Sequence, residues 1–348
     1  MTQPQADAGP DAGGRTLARL LRSFPRPPYW LYRVLQIVPV VFLIITINFF
    51  LLRLAPGDIA DVMAGEAGAY SVEFTEKLRQ DFGLDRPLLT QYVTYVGKVL
   101  QLDLGWSHRN AQTVLSLVLE RLSATAVLVL TAIFIAAVLG SALGTIAALT
   151  RSRFVDSLIS AIATMGFATP LFWLGLMLIV VFSVQLQWLP SSGMYEIGSR
   201  ATGWDAVTER IRHLALPVAC LAAYYLAIYT RLMRTNVSEL KHQDFVRTAR
   251  AKGASPARTV FRHILPNAML GLITLTGLQF GALFSGSVTI EAVFGWPGLG
   301  QLALSAVTAR DYNLLLGILF ISSLFVLLVN LVTDLSYAWL DPRVELSQ

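Results

Sequence analysis

The residues Phe245–Pro266 read FVRTARAKGASPARTVFRHILP and hold six basic residues, counting His263. Asp244 can cap a short helix that begins at Phe245. Gly253 can then end that helix in the left-handed conformation that glycine adopts without strain. The first half of the stretch therefore predicts one short helix followed by a tight turn.

A second helix is predicted after this turn. Ser255 can cap it, and Pro256 suits its first position because proline has no N–H to leave unpaired. One apolar face follows at helical spacing, formed by Ala257, Val260, Phe261 and Ile264. We therefore expect a helix–turn–helix elbow that is rigidly joined to the segment after Pro266. The alternative is an ordinary loop whose arginines only mark the cytoplasmic side.

The elbow is embedded in an apolar chain. Of 348 residues, 55% are hydrophobic and 14% are charged, whereas a soluble domain has about 25% charged residues. A membrane-spanning helix needs roughly 20 apolar residues, and the runs do not alternate as barrel strands would. The charge-free runs are 34–52, 122–150, 157–195, 214–230, 264–290 and 312–333. The sequence predicts an all-α integral membrane protein with six transmembrane helices.

The boundaries of these runs predict the organisation of the chain. The third run is too long for one span, so a helix to about Leu186 and a loop from Pro190 are expected. The whole chain divides into a cytoplasmic tail over 1–33, disordered at its start, a first span over 34–52, an extracytoplasmic helical segment over 53–121, a core over 122–343 with spans two to six, and a tail over 344–348.

The distribution of charge predicts the orientation. The segment 231–263 has eight basic and two acidic residues, and the tail to Arg33 has five basic and two acidic residues. Basic loops stay in the cytoplasm. Both termini are therefore expected inside, with a cytoplasmic loop over 233–263. The basic residues follow the topology, and no soluble basic face interleaved with aromatic residues indicates nucleic-acid binding.

The outer segment contains two helix signals. The stretch SVEFTEKLRQDFG ends at Gly83, and Pro87 can open the next helix. The apolar face of that next helix is formed by Leu88, Tyr92, Tyr95, Val96 and Val99. This segment is either a passive cap over the ends of the spans or a docking surface for an external partner.

The chain lacks the residues that would supply energy or chemistry. No ionisable residue lies deep in a predicted span, which argues against an ion-coupled carrier. The sequence has no phosphate-binding loop and no H-E-x-x-H or G-x-S-x-G motif. Its single cysteine, Cys220, can form neither an intrachain disulfide nor a metal cluster. We therefore predict that the chain is not an enzyme and holds no cofactor or metal.

The elbow resembles the EAA loop of ABC importer permeases, whose pattern is E-A-A-x-x-G-x9-I-x-L-P. Gly253 and the pair Leu265–Pro266 match the pattern, whereas Thr248, Arg250 and His263 replace its Glu, second Ala and Ile. The form RTARAKG is typical of the dipeptide/oligopeptide/nickel branch. Eight further stretches resemble sequences of the same branch. They are RLAPGD at Arg53–Asp58, DFGLDRPLLTQYV at Asp81–Val93, DLGWS at Asp103–Ser107, ERLSAT at Glu120–Thr125, ATPLFWLGL at Ala168–Leu176, WLP at Trp188–Pro190, EAVFGWPGLGQL at Glu291–Leu302 and RDYNLLLG at Arg310–Gly317.

This resemblance implies the architecture of a type I ABC importer permease, as the first (B-type) permease subunit, in the bacterial inner membrane. The implied partners are a second homologous permease, two cytoplasmic ABC ATPases that bind ATP and Mg, an extracytoplasmic solute-binding protein and membrane lipid. The implied cargo is a di- or oligopeptide. Nickel or a metal chelate, glutathione or another small solute remains an alternative within the same architecture. An autonomous secondary carrier or channel is the alternative of a different class.

Two sets of site residues follow from the resemblance. Coupling to the ATPase is expected from Arg247, Thr248, Ala249, Arg250, Gly253, Ser255, Leu265 and Pro266. A translocation pathway or gate is expected from Pro170, Gln279, Ser285, Glu291, Phe294 and Trp296. The arginines can equally remain solvated, and the second set can equally serve helix packing or, for Trp296, anchoring at the membrane interface.

Overall fold

The computed structural model describes the backbone of residues 29–54, 76, 79–80, 85–107, 109–196 and 198–340. The side chains of 29–33, 52, 282–285 and 336–340 lie outside the described part. Residues 1–28 of the expected tail over 1–33, the whole expected tail over 344–348 and most of the expected helix that ends at Gly83 also lie outside it. The predicted boundaries in those stretches therefore stay predictions.

Helices form nearly all of the described chain. In chain order they are α1 (Tyr29–Leu54), α2 (Leu88–Leu100), α3 (Val114–Leu149), α4 (Arg153–Ala168), α5 (Leu171–Leu178, extended by a π turn at Ile179–Gln185), α6 (Trp204–Leu240), α7 (Asp244–Ala251), α8 (Pro256–Thr259, extended by a π turn at Val260–Ile264), α9 (Leu265–Val293), α10 (Leu299–Thr308) and α11 (Tyr312–Leu340). One antiparallel hairpin, β1 (Trp106–Ser107) and β2 (Gln112–Thr113), precedes α3.

Within the described ranges, five helices are long and apolar enough to cross a membrane: α1, α3, α6, the helix that runs from α8 into α9, and α11. The helices α4 and α5 pass the same test together, with a bend of 104° between them, and count as a sixth span when the pair is taken as one. The all-α fold with six spans is thus confirmed, with the third span broken.

The break in the third span lies at Thr169 and Pro170. The sequence predicted one continuous helix there to about Leu186, and this is wrong. Proline has no N–H to continue the helix, and its ring disfavours helical geometry at the preceding residue. The exposed backbone at the break is partly covered, because the Cys220 thiol donates to the carbonyl of Leu171 at 3.4 Å. The break therefore packs against the middle of α6.

The helix of the second span begins earlier than the apolar run suggested. It starts at Val114, inside the stretch assigned to the outer segment, because the Thr113 hydroxyl caps it by accepting from the N–H of Ser116 at 3.4 Å. The first turns of α3 lie in the outer part of the fold, where they pack against α1, α2 and α11. A count of charge-free residues misses these turns, since Glu120 and Arg121 interrupt the run.

The central helices α3 and α6 meet through glycine. A Cβ atom placed on Gly140 would lie 2.6 Å from the Cβ of Tyr229, and one placed on Gly144 would lie 2.5 Å from the carbonyl oxygen of Thr230. Both distances are too short for real contacts. The G-x-x-x-G spacing of Gly140 and Gly144 thus serves close helix packing.

Gly144→Ala is expected to destabilise the folded chain by about 1–3 kcal/mol, because α3 cannot move away from the backbone of α6 without disturbing the core. Gly281→Ala is the matched control. Its new Cβ would lie 3.8 Å from Val326, an ordinary contact, so the gain in helix propensity of up to about 1 kcal/mol should leave it neutral or more stable. The midpoint of thermal unfolding in detergent measures both. Equal effects at the two positions would contradict the packing assignment.

Candidate functional site

The elbow begins with helix α7. Its first residue is Asp244, and the capping position is held by Gln243, which makes no side-chain cap bond. The prediction that Asp244 caps this helix is therefore wrong. Its carboxylate lies in the first turn, where it interacts favourably with the helix dipole, and it lies 3.4 Å from the guanidinium of Arg247. Both side chains are largely exposed, so this ion pair adds little stability.

Gly253 ends α7 as predicted. Its φ is +82°, and two backbone bonds close the turn: Gly253 N–H donates to Arg250 O at 2.9 Å, and Ala254 N–H donates to Ala249 O at 3.1 Å. This pair of bonds is a Schellman motif. A Cβ on Gly253 would meet nothing within 4 Å. Glycine is therefore required here by the backbone conformation and not by crowding within this chain.

The second half of the elbow is α8. The Ser255 hydroxyl accepts from the N–H of Arg258 at 3.3 Å, and Pro256 occupies the first turn, which confirms the predicted cap. The predicted apolar face is wrong at Ala257, which is exposed, and at Phe261, whose side chain is 70% exposed, whereas Thr259 is buried. The π turn at Val260–Ile264 adds an extra residue to the turn and rotates the face that follows.

This π turn has a local cause. Pro266 cannot donate the hydrogen bond that a regular helix requires, so the backbone widens just before it. The Leu265 N–H bonds to the carbonyl of Val260, five residues back, and the helix then continues directly into α9. The elbow is thus joined to the fifth span by one continuous helical path from Pro256 to Val293.

The elbow is held on the core by two residues of α7. Val246 is fully buried and belongs to the main apolar cluster, together with Ile264, and Ala249 is also buried. Of the expected coupling residues, Ala249 faces this chain's own core and Leu265 is half-buried. The exposed coupling residues are Arg247, Thr248, Arg250, Gly253, Ser255 and Pro266. Docking of these exposed residues to an ATPase stays a prediction.

A second group of polar residues lies at the far end of α9. Glu291 is fully buried. Its Oε2 accepts from the N–H groups of Gly300 at 2.6 Å and Gln301 at 3.1 Å, and its Oε1 accepts from the hydroxyl of Thr125 at 2.6 Å. The Thr125 oxygen in turn accepts from the N–H of Leu299 at 2.8 Å. Glu291 and Thr125 together cap the start of α10.

Two glycines make room for this buried carboxyl group. A Cβ on Gly298 would collide with the carboxyl carbon of Glu291 and with the hydroxyl of Thr125, and a Cβ on Gly300 would lie 2.6 Å from the Cα of Val288. The sequence G-L-G at the start of α10 is therefore what lets a carboxyl group from α9 reach the backbone N–H groups.

Phe294 and Trp296 are buried beside this cluster. The indole N–H of Trp296 donates to the carbonyl of Ala124 at 3.0 Å, and the carbonyl of Phe294 accepts from the N–H of Gly193 at 2.9 Å. Phe294, Trp296 and Glu291 are all buried in this arrangement, so none of them is available to contact a binding protein. Their observed role is to tie the end of α9 to α3 and to the loop before α6, and a role in gating stays a prediction.

The remaining expected pathway residues are scattered. Pro170 lies at the 104° break between α4 and α5, and Gln279 is half-buried on α9. Ser285 is on the same helix, but its side chain lies outside the described part. Among the described residues no hydrogen bond joins Pro170 or Gln279 to Glu291, and lining of a pathway by Pro170, Gln279 and Ser285 stays a prediction.

The sequence reading missed Thr125, Gly298 and Gly300. All three lie in motifs that were noted only for their resemblance, ERLSAT and EAVFGWPGLGQL. The signal that could have found them is an acidic residue at the end of an apolar span, followed by a Gly-x-Gly helix start. An acidic side chain in that position needs buried donors, and helix N-termini supply them.

Comparison with known families gives two matches that together cover most of the chain. Residues 140–346 match the family described as "Binding-protein-dependent transport system inner membrane component". Residues 28–129 match the N-terminal region of the same kind of membrane component. The matched ranges include the elbow, the Glu291 cluster and the outer helix α2.

Several relatives align over nearly their whole length. The chain is 38% identical over 320 residues to a peptide permease of Brucella suis, covering 92% of this chain and 99% of that protein. It is 39% identical to the di/tripeptide transport system permease protein DppB of Pseudomonas aeruginosa, covering 89% and 96%. It is 38% identical to the glutathione transport system permease protein GsiC of Escherichia coli, covering 91% and 98%.

The fold is similar to a solved transporter. Two inward-facing structures of the MetNI methionine ABC transporter contain a chain that aligns with 65% of this one, and 96% of that chain is covered. The TM-scores are 0.50 and 0.52, at 18% and 20% sequence identity. At this identity the similarity concerns the fold alone.

Proposed function

This chain belongs to the binding-protein-dependent transport system inner membrane components, and we propose that it forms half of a translocation pathway for di- or oligopeptides. It is a multi-pass inner-membrane permease of an ABC importer, and it is the membrane component rather than the ATPase. The members of its family work in transport systems that contain a binding protein, so ATPase and binding-protein partners are implied.

The observation that carries the proposed mechanism is the continuous helical path from the elbow into the fifth span. Val246 and Ile264 anchor the two elbow helices in the core, and no loop separates the π turn at Val260–Ile264 from α9. A displacement of the elbow is therefore transmitted to α9 instead of being absorbed by a flexible joint. The membrane helices would have two conformations, and binding of the ATPase and of the binding protein would each shift the equilibrium between them.

The assembly that we propose contains this chain, one homologous permease, two cytoplasmic ATPases and an external binding protein. ATP and Mg are assigned to the ATPases. In the family to which the chain belongs, six spans form half of a pathway, which supports the second permease. The exposed basic residues Arg247 and Arg250 suit an acidic groove on a cytoplasmic partner, since charge complementarity favours docking.

The peptide cargo rests on the names of two relatives, a peptide permease of Brucella suis and DppB of Pseudomonas aeruginosa. The name of GsiC specifies glutathione, itself a small peptide, and supports the alternative cargo at similar identity. An autonomous secondary carrier is disfavoured, because such carriers place ionisable groups within their spans, whereas Glu291 serves as a helix cap at the end of one.

The test is uptake in the native host after deletion of the gene for this chain. Uptake of labelled di- and tripeptides is expected to fall to background and to return with the intact gene, while uptake of glutathione and nickel is unchanged. Loss of glutathione uptake alone would replace peptides by the alternative cargo. Uptake that persists after cellular ATP is depleted, with the ion gradient maintained, would contradict an ATP-driven importer.

A further inference from the structure

The outer helix α2 has an apolar strip that no described residue of the chain covers. Leu89, Val93 and Leu100 are 73%, 62% and 67% exposed. They lie on one side of the helix, because their spacings of four and seven residues return to nearly the same angle. Their exposure is unexpected for a helix assigned to the aqueous side of the membrane, since exposed apolar strips of this kind mark a binding surface.

Another side of α2, roughly a quarter turn around the helix from the strip, shows how deep the helix lies. The Tyr92 hydroxyl is hydrogen-bonded to Thr46 at 2.8 Å, and the Tyr92 ring packs edge-on against Phe49 at 5.3 Å between centroids. The apolar window of the first span is Val34–Leu51, so Thr46 lies five residues before its outer end. At 1.5 Å per residue this is about 7–8 Å below that end. Helix α2 therefore lies beside the span and not above it.

The first span itself exposes apolar side chains over much of its surface. Leu43, Ile47 and Phe50 are each about half exposed, and α1 packs on α2 and α11 in the described part of the fold. A helix that lies beside such a span, in its outer half, has acyl chains as its nearest surroundings on any side that protein does not cover. The apolar strip of α2 is thus next to another exposed apolar surface, that of a membrane-spanning helix.

Two hydroxyl groups of α2 are hydrogen-bonded within the protein, as a water-poor environment requires. The Tyr92 hydroxyl has its partner in Thr46, and the Thr94 hydroxyl donates to the carbonyl of Thr90 at 2.8 Å. Burial raises the pKa of Tyr95 to about 12. Tyrosines with one apolar and one polar end are also typical of the membrane interface.

We propose that α2 is an interfacial membrane helix whose strip of Leu89, Val93 and Leu100 is inserted into the outer leaflet and covered by lipid acyl chains. Lys98, on the other flank of the helix, then reaches the headgroup region. This proposal goes beyond the transport function, which it does not require. If α2 is inserted in this way, it anchors the first span in the bilayer. The strip is then covered by lipid and is not the docking surface of the binding protein.

The test is site-directed spin labelling of the assembled transporter in liposomes. Single cysteines replace Val93 and Lys98, and Leu43→Cys serves as the lipid-facing control. Cys220→Ala removes the native thiol, and the labelling is repeated with Cys220 retained, because that thiol is fully buried and escapes the reagent in the folded protein. Collision of each label is measured with oxygen, which partitions into lipid, and with a water-soluble nickel chelate.

At position 93 the ratio of oxygen to nickel collisions is expected to rise to that of position 43, and at position 98 it is expected to be lower. Nickel collisions at position 93 that equal those at position 98 would place the strip in water and overturn the proposal. Immobilisation of the label at position 93 on addition of the binding protein would also overturn it, since the strip would then be a protein docking surface. Neither result depends on which solute is transported.

Discussion

Gly253→Asp is expected to abolish co-purification of the ATPase with the permease and to reduce transport to background, while the six spans stay folded. The glycine has φ +82° and open space around it. A side chain there costs roughly 1–2 kcal/mol of backbone strain, which is too little to unfold the chain, but it places an acidic group on the exposed turn of the elbow. Recovery of the ATPase after mild-detergent purification measures the effect.

Gly198→Asp is the matched control for this substitution. Gly198 has φ +85° and likewise nothing within 4 Å of a new Cβ, but it lies in the loop before α6, on the other side of the membrane. The backbone strain and the added charge are the same. Recovery of the ATPase should therefore be unchanged in this variant. Equal loss in both variants would assign the defect to strain, and normal recovery with Gly253→Asp would contradict the elbow assignment.

Glu291→Ala is expected to cause the largest loss of stability among the substitutions considered. It leaves the N–H groups of Gly300 and Gln301 and the hydroxyl of Thr125 without their buried acceptor. Each unpaired buried group costs about 1–3 kcal/mol, so a loss of several kcal/mol is expected, at the upper end for single substitutions. Thermal unfolding of the purified complex measures the total loss, and hydrogen exchange over 298–308 locates it in α10.

Two variants show whether the capping bonds are responsible. Glu291→Gln keeps the shape and one acceptor oxygen, so an intermediate loss is expected. Glu239→Ala removes a carboxylate that is exposed on α6 and should change stability little. If Glu291→Ala left both the unfolding temperature and the exchange of α10 unchanged, the capping role would be contradicted. Loss of transport with unchanged stability would instead favour the predicted gate.

The elbow was predictable because its signals are local. The glycine turn at Gly253 and the cap at Ser255 depend on residues within a few positions of each other, and both are confirmed. The exposure of Ala257 and Phe261 was not predictable from apolar spacing, because the buried face of α8 includes the polar residue Thr259.

The Glu291 cluster, in contrast, could not be predicted from local signals. The residues of this cluster that pair with Glu291 include Thr125, which is 166 positions away in the chain, and a single sequence carries no local signal for such a contact. The same holds for the third span, where apolarity gave the span but not its 104° break at Pro170. Composition fixed which segments enter the membrane, whereas tertiary contacts decided where each begins, bends and ends.

The most direct measurement of the central claim is purification of the tagged chain in mild detergent, followed by identification of the proteins that accompany it. The account predicts a second, homologous permease and ATPase subunits that carry phosphate-binding loops. It also predicts that solute uptake by the purified assembly in liposomes requires ATP and the binding protein. Recovery of the folded chain alone, able to move solute without ATP, would contradict the account.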